Sequence, residues 1–190
     1  MVSEKSGRIY KETKLFHMIT VEKTKLEGVL IVKPSVFEDH RGYYVELYNR
    51  ELYAQQGITV DFVQDDVSMS RKNVLRGIHG DQKTWKLVSC LYGEFYLVVV
   101  NCDEASADFG QWESFTLSAQ NRLQLLIPPK HGNGHVVLTD TAIFHYKQSE
   151  YYVSGQKFIY RYDDPRFNIT WPIKDPILSK RDELGKNIPR

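Results

Sequence analysis

The sequence predicts an all-β fold, a sandwich or a barrel. Three observations carry that reading. Short apolar-rich runs recur at a spacing of roughly ten residues, each closed by Gly, Asn, Asp or Pro, which suits successive strands. Aromatic residues make up 13% of the chain, with 12 Tyr, 9 Phe and 3 Trp. Such side chains fit the pleated, half-buried surface of a sheet. No repeat period, low-complexity tract or Gly/Pro/Ser-rich linker interrupts the rhythm. The 190 residues are about one domain's worth. We expect one domain over residues 18–190 behind a polar N-terminal arm, residues 1–17. A domain of that size buries roughly 70% of its unfolded surface, so it needs no disulfide or structural metal.

The elements follow in order. Residues 28–37 read as a strand closed at Pro34. Residues 42–49 alternate, with Tyr43, Val45 and Leu47 on one face and Tyr44 and Glu46 on the other. Residues 50–57 are the best helix candidate, stopped by Gly57. Eight apolar runs then lead to residue 152, and Tyr92-Gly93-Glu94 reads as a tight hairpin between two of them. The tail carries Pro165, Pro172 and Pro176, then a short helix that Ser179 can cap.

Composition narrows the function. Lys and Arg total 25 and Asp and Glu total 24, with no block of either sign, which speaks against coating nucleic acid or a membrane. No 18-residue apolar run is present, and the charged N-terminus lacks the apolar stretch of a secretory signal. Cys90 and Cys102 stand alone and read as small hydrophobes of a reducing, cytoplasmic protein. The chain contains no phosphate-binding loop, dinucleotide fingerprint or serine-hydrolase elbow.

Several residues could carry chemistry, and each also has a plain reading. His79 follows Arg76-Gly77 at a strand edge, where an imidazole titrating near neutrality suits proton abstraction; a hydrogen-bonded strand histidine is the other reading. Tyr146 ends an apolar strand and can give a phenolic proton, or simply pack. Lys86 leads a strand and can stabilise an enolate oxygen or a phosphate, or sit solvated at the strand end. Arg41 and Arg76 can clamp a diphosphate or pair on the surface. Asp182 can cap a helix or orient an imidazole. His131, His135 and His145, with His79, raise a metal site, but Gly80-Asp81 follows His79 where a second histidine would be wanted, and no metal is expected.

Ten motifs run colinearly over residues 19–183: FEDHRGYYVE (37–46), FVQDDVSMS (62–70), NVLRGIH (73–79), KLVSCLYGE (86–94), FGQW (109–112), LSAQN (117–121), QLLIP (124–128), YK (146–147), WP (171–172) and LSKRD (178–182). Together they resemble the dTDP-4-dehydrorhamnose 3,5-epimerase family of nucleotide-sugar epimerases. The resemblance implies a cupin-like antiparallel β jelly-roll barrel with a few short helices, a homodimer, and no cofactor or metal. It implies a nucleotide-diphosphate 4-keto-6-deoxy sugar as substrate, inverted at C3, or at C3 and C5, through an enolate. His79 would be the base, Asp182 its orienting carboxylate and Tyr146 the acid. Lys86 and Arg76 would flank the keto oxygen and the sugar or phosphate. Phe37, Arg41, Tyr44 and Glu46 match the segment that reaches the nucleotide across the dimer, and Gln64 matches a nucleotide contact.

The chain departs from the family pattern at several positions. Asn133 stands where the family's I-P-x-G-x-x-H-G stretch has histidine, and Leu97 stands where it has aspartate. Leu97 is expected to make that part of the pocket more apolar. Gly80 replaces an aromatic residue, and a roomier site is the expectation. The H-G-D form resembles the epimerases of GDP-4-keto-6-deoxy-heptoses in bacterial capsule synthesis, so a GDP-linked heptose is expected ahead of a dTDP-linked hexose. A sugar-nucleotide 3,4-ketoisomerase and a non-catalytic sugar-nucleotide binding module are the rival functions.

Overall fold

The computed structural model describes residues 18–153 and 155–186. The expected arm, residues 1–17, lies outside the described residues. Strands come in the order β1 (Thr20–Lys23), β2 (Leu30–Lys33), β3 (Val36–Asp39), β4 (Gly42–Val45), β5 (Gln64–Arg71), β6 (Leu75–Gly80) and β7 (Lys86–Tyr92). They continue with β8 (Glu94–Asn101), β9 (Trp112–Ser118), β10 (Gln124–Ile127), β11 (His131–Val137), β12 (Thr141–Gln148) and β13 (Phe158–Ile159). Two short helices, α1 (Arg50–Gln55) and α2 (Lys180–Leu184), complete the described elements.

Two antiparallel sheets form the body. One runs β1-β2-β10-β7-β12-β5 and the other β13-β6-β11-β8-β9, while β3 and β4 pair as a separate hairpin. Apart from the consecutive pairs β1–β2 and β8–β9, neighbouring strands in each sheet are far apart in sequence, as in a jelly roll. Between the sheets lies an apolar cluster of Val88, Phe95, Leu97, Val99, Leu117, Leu125 and Phe144 among others. A second cluster packs α1 against the outer face of the larger sheet through Tyr53, Val32, Leu87 and Leu126. There the Tyr53 hydroxyl donates to Gln124 Oε1 at 2.5 Å, so the buried polar ends satisfy each other.

Most element readings hold, with three corrections. The strand expected over 28–37 is two strands, because Pro34 cannot donate to a ladder and the chain leaves the sheet there. The alternation over 42–49 yields a strand only to Val45, and the Asn49 side chain then caps α1 by accepting from the Glu51 and Leu52 amides. Tyr92-Gly93-Glu94 is not a hairpin turn: β7 and β8 belong to different sheets. Gly93, at φ +70°, carries the chain from one sheet to the other, and a side chain there would strike the Thr141 carbonyl. Ser179 caps α2 as expected, its oxygen accepting from the Asp182 amide at 3.2 Å.

Candidate active site

A cleft of about 790 Å³ takes its walls from both sheets and from α2. The smaller sheet contributes Arg76 and His79 from β6 and Asn133 and His135 from β11. The larger sheet contributes Lys86 from β7, Phe144 and Tyr146 from β12, and Asp66 and Ser68 from β5. Ser179, Arg181, Asp182 and Lys157 close the rim.

His79 is the centre of a chain of bonds. Its Nε2 lies 2.5 Å from Asp182 Oδ1. Asp182 Oδ2 accepts from the Ser179 hydroxyl at 2.8 Å, so the helix cap also fixes the carboxylate. Arg181 Nη2 lies 3.3 Å from His79 Nε2 and 3.5 Å from Nδ1. Burial holds the imidazole below its ordinary pKa; the Asp182 bond and charge oppose the shift, and the Arg181 and Lys86 charges add to it. Burial works against an ionised Asp182, yet the bonds from His79 and Ser179 keep its carboxyl below the usual range. At neutral pH the pair is therefore a carboxylate and a neutral imidazole, the state that can accept a proton.

Lys86 is buried, with 6% of its surface exposed. Its Nζ donates to Asn133 Oδ1 at 2.8 Å and to the His79 carbonyl at 3.2 Å. Burial, with the charge of Lys157 second, pulls this amine down to about 7. Asn133 thus meets the need of a buried ammonium for an acceptor without bringing a second charge.

Tyr146 faces Asp66 directly across the β5–β12 ladder. Burial, then the Asp66 carboxylate, pushes the phenol up to about 12, so it carries its proton throughout the physiological range. Asp66 is itself gripped by Gln64 Nε2 at 2.8 Å and Gln148 Nε2 at 2.6 Å, and Lys157 donates to Gln148 Oε1 at 3.0 Å. Arg76 donates from Nε to Ser70 Oγ at 2.9 Å.

The structure brings His79, Asp182, Lys86, Tyr146, Arg76 and Asn133 to one cleft. It does not bring the hairpin residues there. Phe37, Arg41 and Tyr44 line a separate hollow of about 350 Å³ on β3 and β4. Arg41 is engaged with Asp39 at 2.7 Å on an exposed surface. Glu46 accepts from Asn49 Nδ2 at 3.2 Å, at the start of α1. Gln64 stands behind Asp66, its Oε1 accepting from the Tyr152 amide at 2.9 Å.

Two expectations about pocket shape are overturned. Gly80 does not open room: a Cβ there would sit 2.5 Å from the His131 carbonyl and run into the Phe158 ring, which already fills the space. Leu97 does not line the cleft; it is fully buried in the core between the sheets. Among the described residues no group of three or more His, Cys, Asp or Glu is placed to hold a metal ion. His131 turns Nδ1 to the Pro129 carbonyl at 3.2 Å.

Sequence reasoning missed Arg181, Asp66 and Lys157 as cleft residues and singled out His135 only as a candidate metal ligand. Arg181 lies inside the LSKRD motif and His135 two residues past Asn133 on one strand face, so both had a signal. Lys157 had none, since the irregular segment after β12 folds back over the cleft.

The model of one known family, dTDP-4-dehydrorhamnose 3,5-epimerase, matches residues 23–189. The chain belongs to this family. It is 40% identical over 172 residues to the dTDP-4-dehydrorhamnose 3,5-epimerase of Shigella flexneri, covering 88% of this chain and 95% of that one. Among solved structures, dTDP-6-deoxy-D-glucose-3,5-epimerase of Legionella pneumophila, in complex with dTDP-4-keto-L-rhamnose, superposes with a TM-score of 0.84 at 37% identity, covering 89% of this chain and 92% of that one. The dTDP-4-dehydrorhamnose 3,5-epimerase of Bacillus anthracis, with TDP and PPi bound, gives 0.85 at 33% identity, covering 90% and 99%. This member of the epimerase family is accordingly an isomerase, and its two-sheet architecture is the jelly roll expected. The expected likeness to GDP-heptose epimerases draws no support from these relatives, whose names specify dTDP sugars. No helix among the described residues is long and apolar enough to cross a membrane.

The pairing of His79 with Asp182 can be tested directly. Asp182→Asn removes the bond and charge that favour the imidazolium, so His79 should titrate at a lower pH than in the wild type, read from its ring proton shift by NMR. A value equal to or above the wild type's would contradict the pairing.

Proposed function

We propose that this chain inverts C3, or C3 and C5, of a 4-keto-6-deoxy sugar carried on thymidine diphosphate. One observation carries the reading: a neutral imidazole backed by a carboxylate and a protonated phenol enter one cleft from opposite sheets. The 4-keto group acidifies the hydrogen on the adjacent carbon. His79 takes that proton from C3, and the C–H electron pair moves into the ring to place negative charge on O4. Lys86 stabilises this enolate oxygen, as a buried ammonium does far better than one in water. Tyr146 returns a proton to the opposite face of C3, the C4 carbonyl re-forms, and the configuration is inverted. His79 releases its proton and Tyr146 regains one from solvent, so the reaction consumes nothing.

Asp182 keeps His79 oriented and stabilises its charged form after transfer. Arg76, anchored by Ser70, serves the diphosphate, and Asn133 holds Lys86 while offering its amide N–H to the sugar. No cofactor or metal has a role in this scheme. We assign Phe37, Arg41 and Tyr44 to the nucleotide bound in the cleft of a second copy in a homodimer. Two features support the dimer: these residues lie outside their own chain's cleft, and Val67 and Met69 stand exposed on the edge strand β5. Glu46 and Gln64 are assigned to shaping the start of α1 and the setting of Asp66. The thymidine reading replaces the guanosine-heptose one because the relatives' names specify dTDP sugars and because Gly80 gives no added room. The buried free thiols of Cys90 and Cys102 suit a reducing cytoplasm.

Incubation of dTDP-4-keto-6-deoxyglucose in D₂O should place deuterium on C3, and on C5 if both centres are inverted, with an inverted 4-keto product. No deuterium on either carbon would sink the epimerase reading, and a 3-keto product would indicate a ketoisomerase. His79→Asn should lose exchange and inversion together, by ~10²–10⁴-fold for a positioned base, whereas Tyr146→Phe should keep exchange and lose inversion. The profile of kcat/KM against pH should be a bell. Activity rises as His79 loses its proton below pH 6.5 and falls as Lys86 loses its own at about 7; a plateau through pH 9 would remove Lys86 from the charged role. For the dimer, Arg41→Ala and His79→Asn chains should each be weak alone and recover activity when mixed, since one site of the mixed dimer has both residues intact. Absence of recovery in a proven mixed dimer would confine Arg41 to its own chain.

A further inference from the structure

His135 lies on β11 with 3% of its surface exposed. Its ring stacks on Phe144 with centroids 4.2 Å apart and planes at 10°, and it meets Phe95 at 5.2 Å. It lines the same cleft as His79 and Tyr146, yet the scheme above gives it no task. Its Nε2 is enclosed by protein and has no hydrogen-bond partner. Burial, aided by the charges of Arg76 and His79, pulls the imidazole down to about 3, so it is neutral wherever the enzyme works. A group that stays neutral cannot shuttle the proton.

A buried imidazole without a partner destabilises the chain that holds it. The slot between Phe95 and Phe144 would take a phenylalanine of nearly the same outline at no such cost. With Nε2 enclosed and without an acceptor, the ring proton is assigned to Nδ1. The stacked Phe144 fixes the plane of the ring, so this donor has a set direction. Charged Arg76 suits the diphosphate, whereas a neutral donor beside an aromatic face suits a sugar hydroxyl.

We propose that His135 is a specificity-determining residue of the sugar subsite: it donates one hydrogen bond to a hydroxyl oxygen of the bound sugar, held in aim by Phe144. The inference rests on the cleft being the sugar-nucleotide site proposed above and names a contact within it. A pocket that matches a substrate hydroxyl with a buried polar group discriminates against sugars lacking it, because the group is then left unpaired.

The test uses dTDP-glucose, which has no keto group and cannot enolise, beside dTDP. Calorimetry compares wild type with His135→Phe, which keeps the aromatic packing and removes the ring nitrogens. His135→Phe should bind dTDP like the wild type, bind dTDP-glucose about tenfold more weakly, and melt at an equal or higher temperature. His135→Gln, which keeps an N–H, should regain part of the lost affinity. Unchanged affinity of His135→Phe for dTDP-glucose overturns the proposal. Equal loss for both ligands also overturns it, pointing to a phosphate contact or a distorted cleft. A wild-type protein that binds dTDP-glucose through His135 but turns over no keto sugar would sink the epimerase reading and leave the contact standing. A wild type that binds neither ligand overturns both.

Discussion

Phe95, Leu97 and Val99 of one sheet pack in a single cluster with Val88, Leu125 and Phe144 of the other. The apolar surface they remove from water holds the sheets face to face, as in any two-layer β fold. The polar groups that the two sheets bring to the cleft are placed by that contact. His79 and Asn133 come from one layer, Lys86 and Tyr146 from the other. Lys86 joins the layers across the cleft through its bonds to Asn133 and to the His79 carbonyl.

The same contact tunes the chemistry. Lys86 and His79 enter the cleft from the strands that wall it, and burial is the largest influence on both. It shifts each toward the neutral form, so His79 loses its proton more readily than a free imidazole and Lys86 more readily than a free amine. Asp182 prevents the imidazole from becoming too poor a base, because its negative charge favours the protonated form. On the opposite wall Asp66 acts with burial to hold the proton on Tyr146. Base and acid are thereby kept apart by their surroundings rather than by their residue types.

His135 fits the same logic. It lies two residues beyond Asn133, which puts the two side chains on one face of β11, roughly 7 Å apart along the strand. Asn133 is engaged with a buried ammonium, and His135 is engaged with aromatic rings alone. One face of one strand thus carries an end that holds a buried ammonium and an end lined by aromatic rings.

The amino-acid pattern by itself determined the all-β class, because period-two alternation, closing Gly and Pro residues and helix caps are local properties of a strand or a turn. Ser179 was readable in this way, and the ordered motifs pointed to His79, Asp182, Tyr146 and Lys86. Only the tertiary structure decided which strands share a sheet, since ladder partners such as β2 and β10 lie far apart along the chain. For that reason Gly93 read as a hairpin turn when it joins two sheets. Gly80 likewise read as empty space, because nothing near it in sequence reveals that Phe158 of β13 fills the gap. The pKa values that separate base, acid and cation were beyond any motif as well, because they arise from burial and from charges that meet only once the two layers have closed.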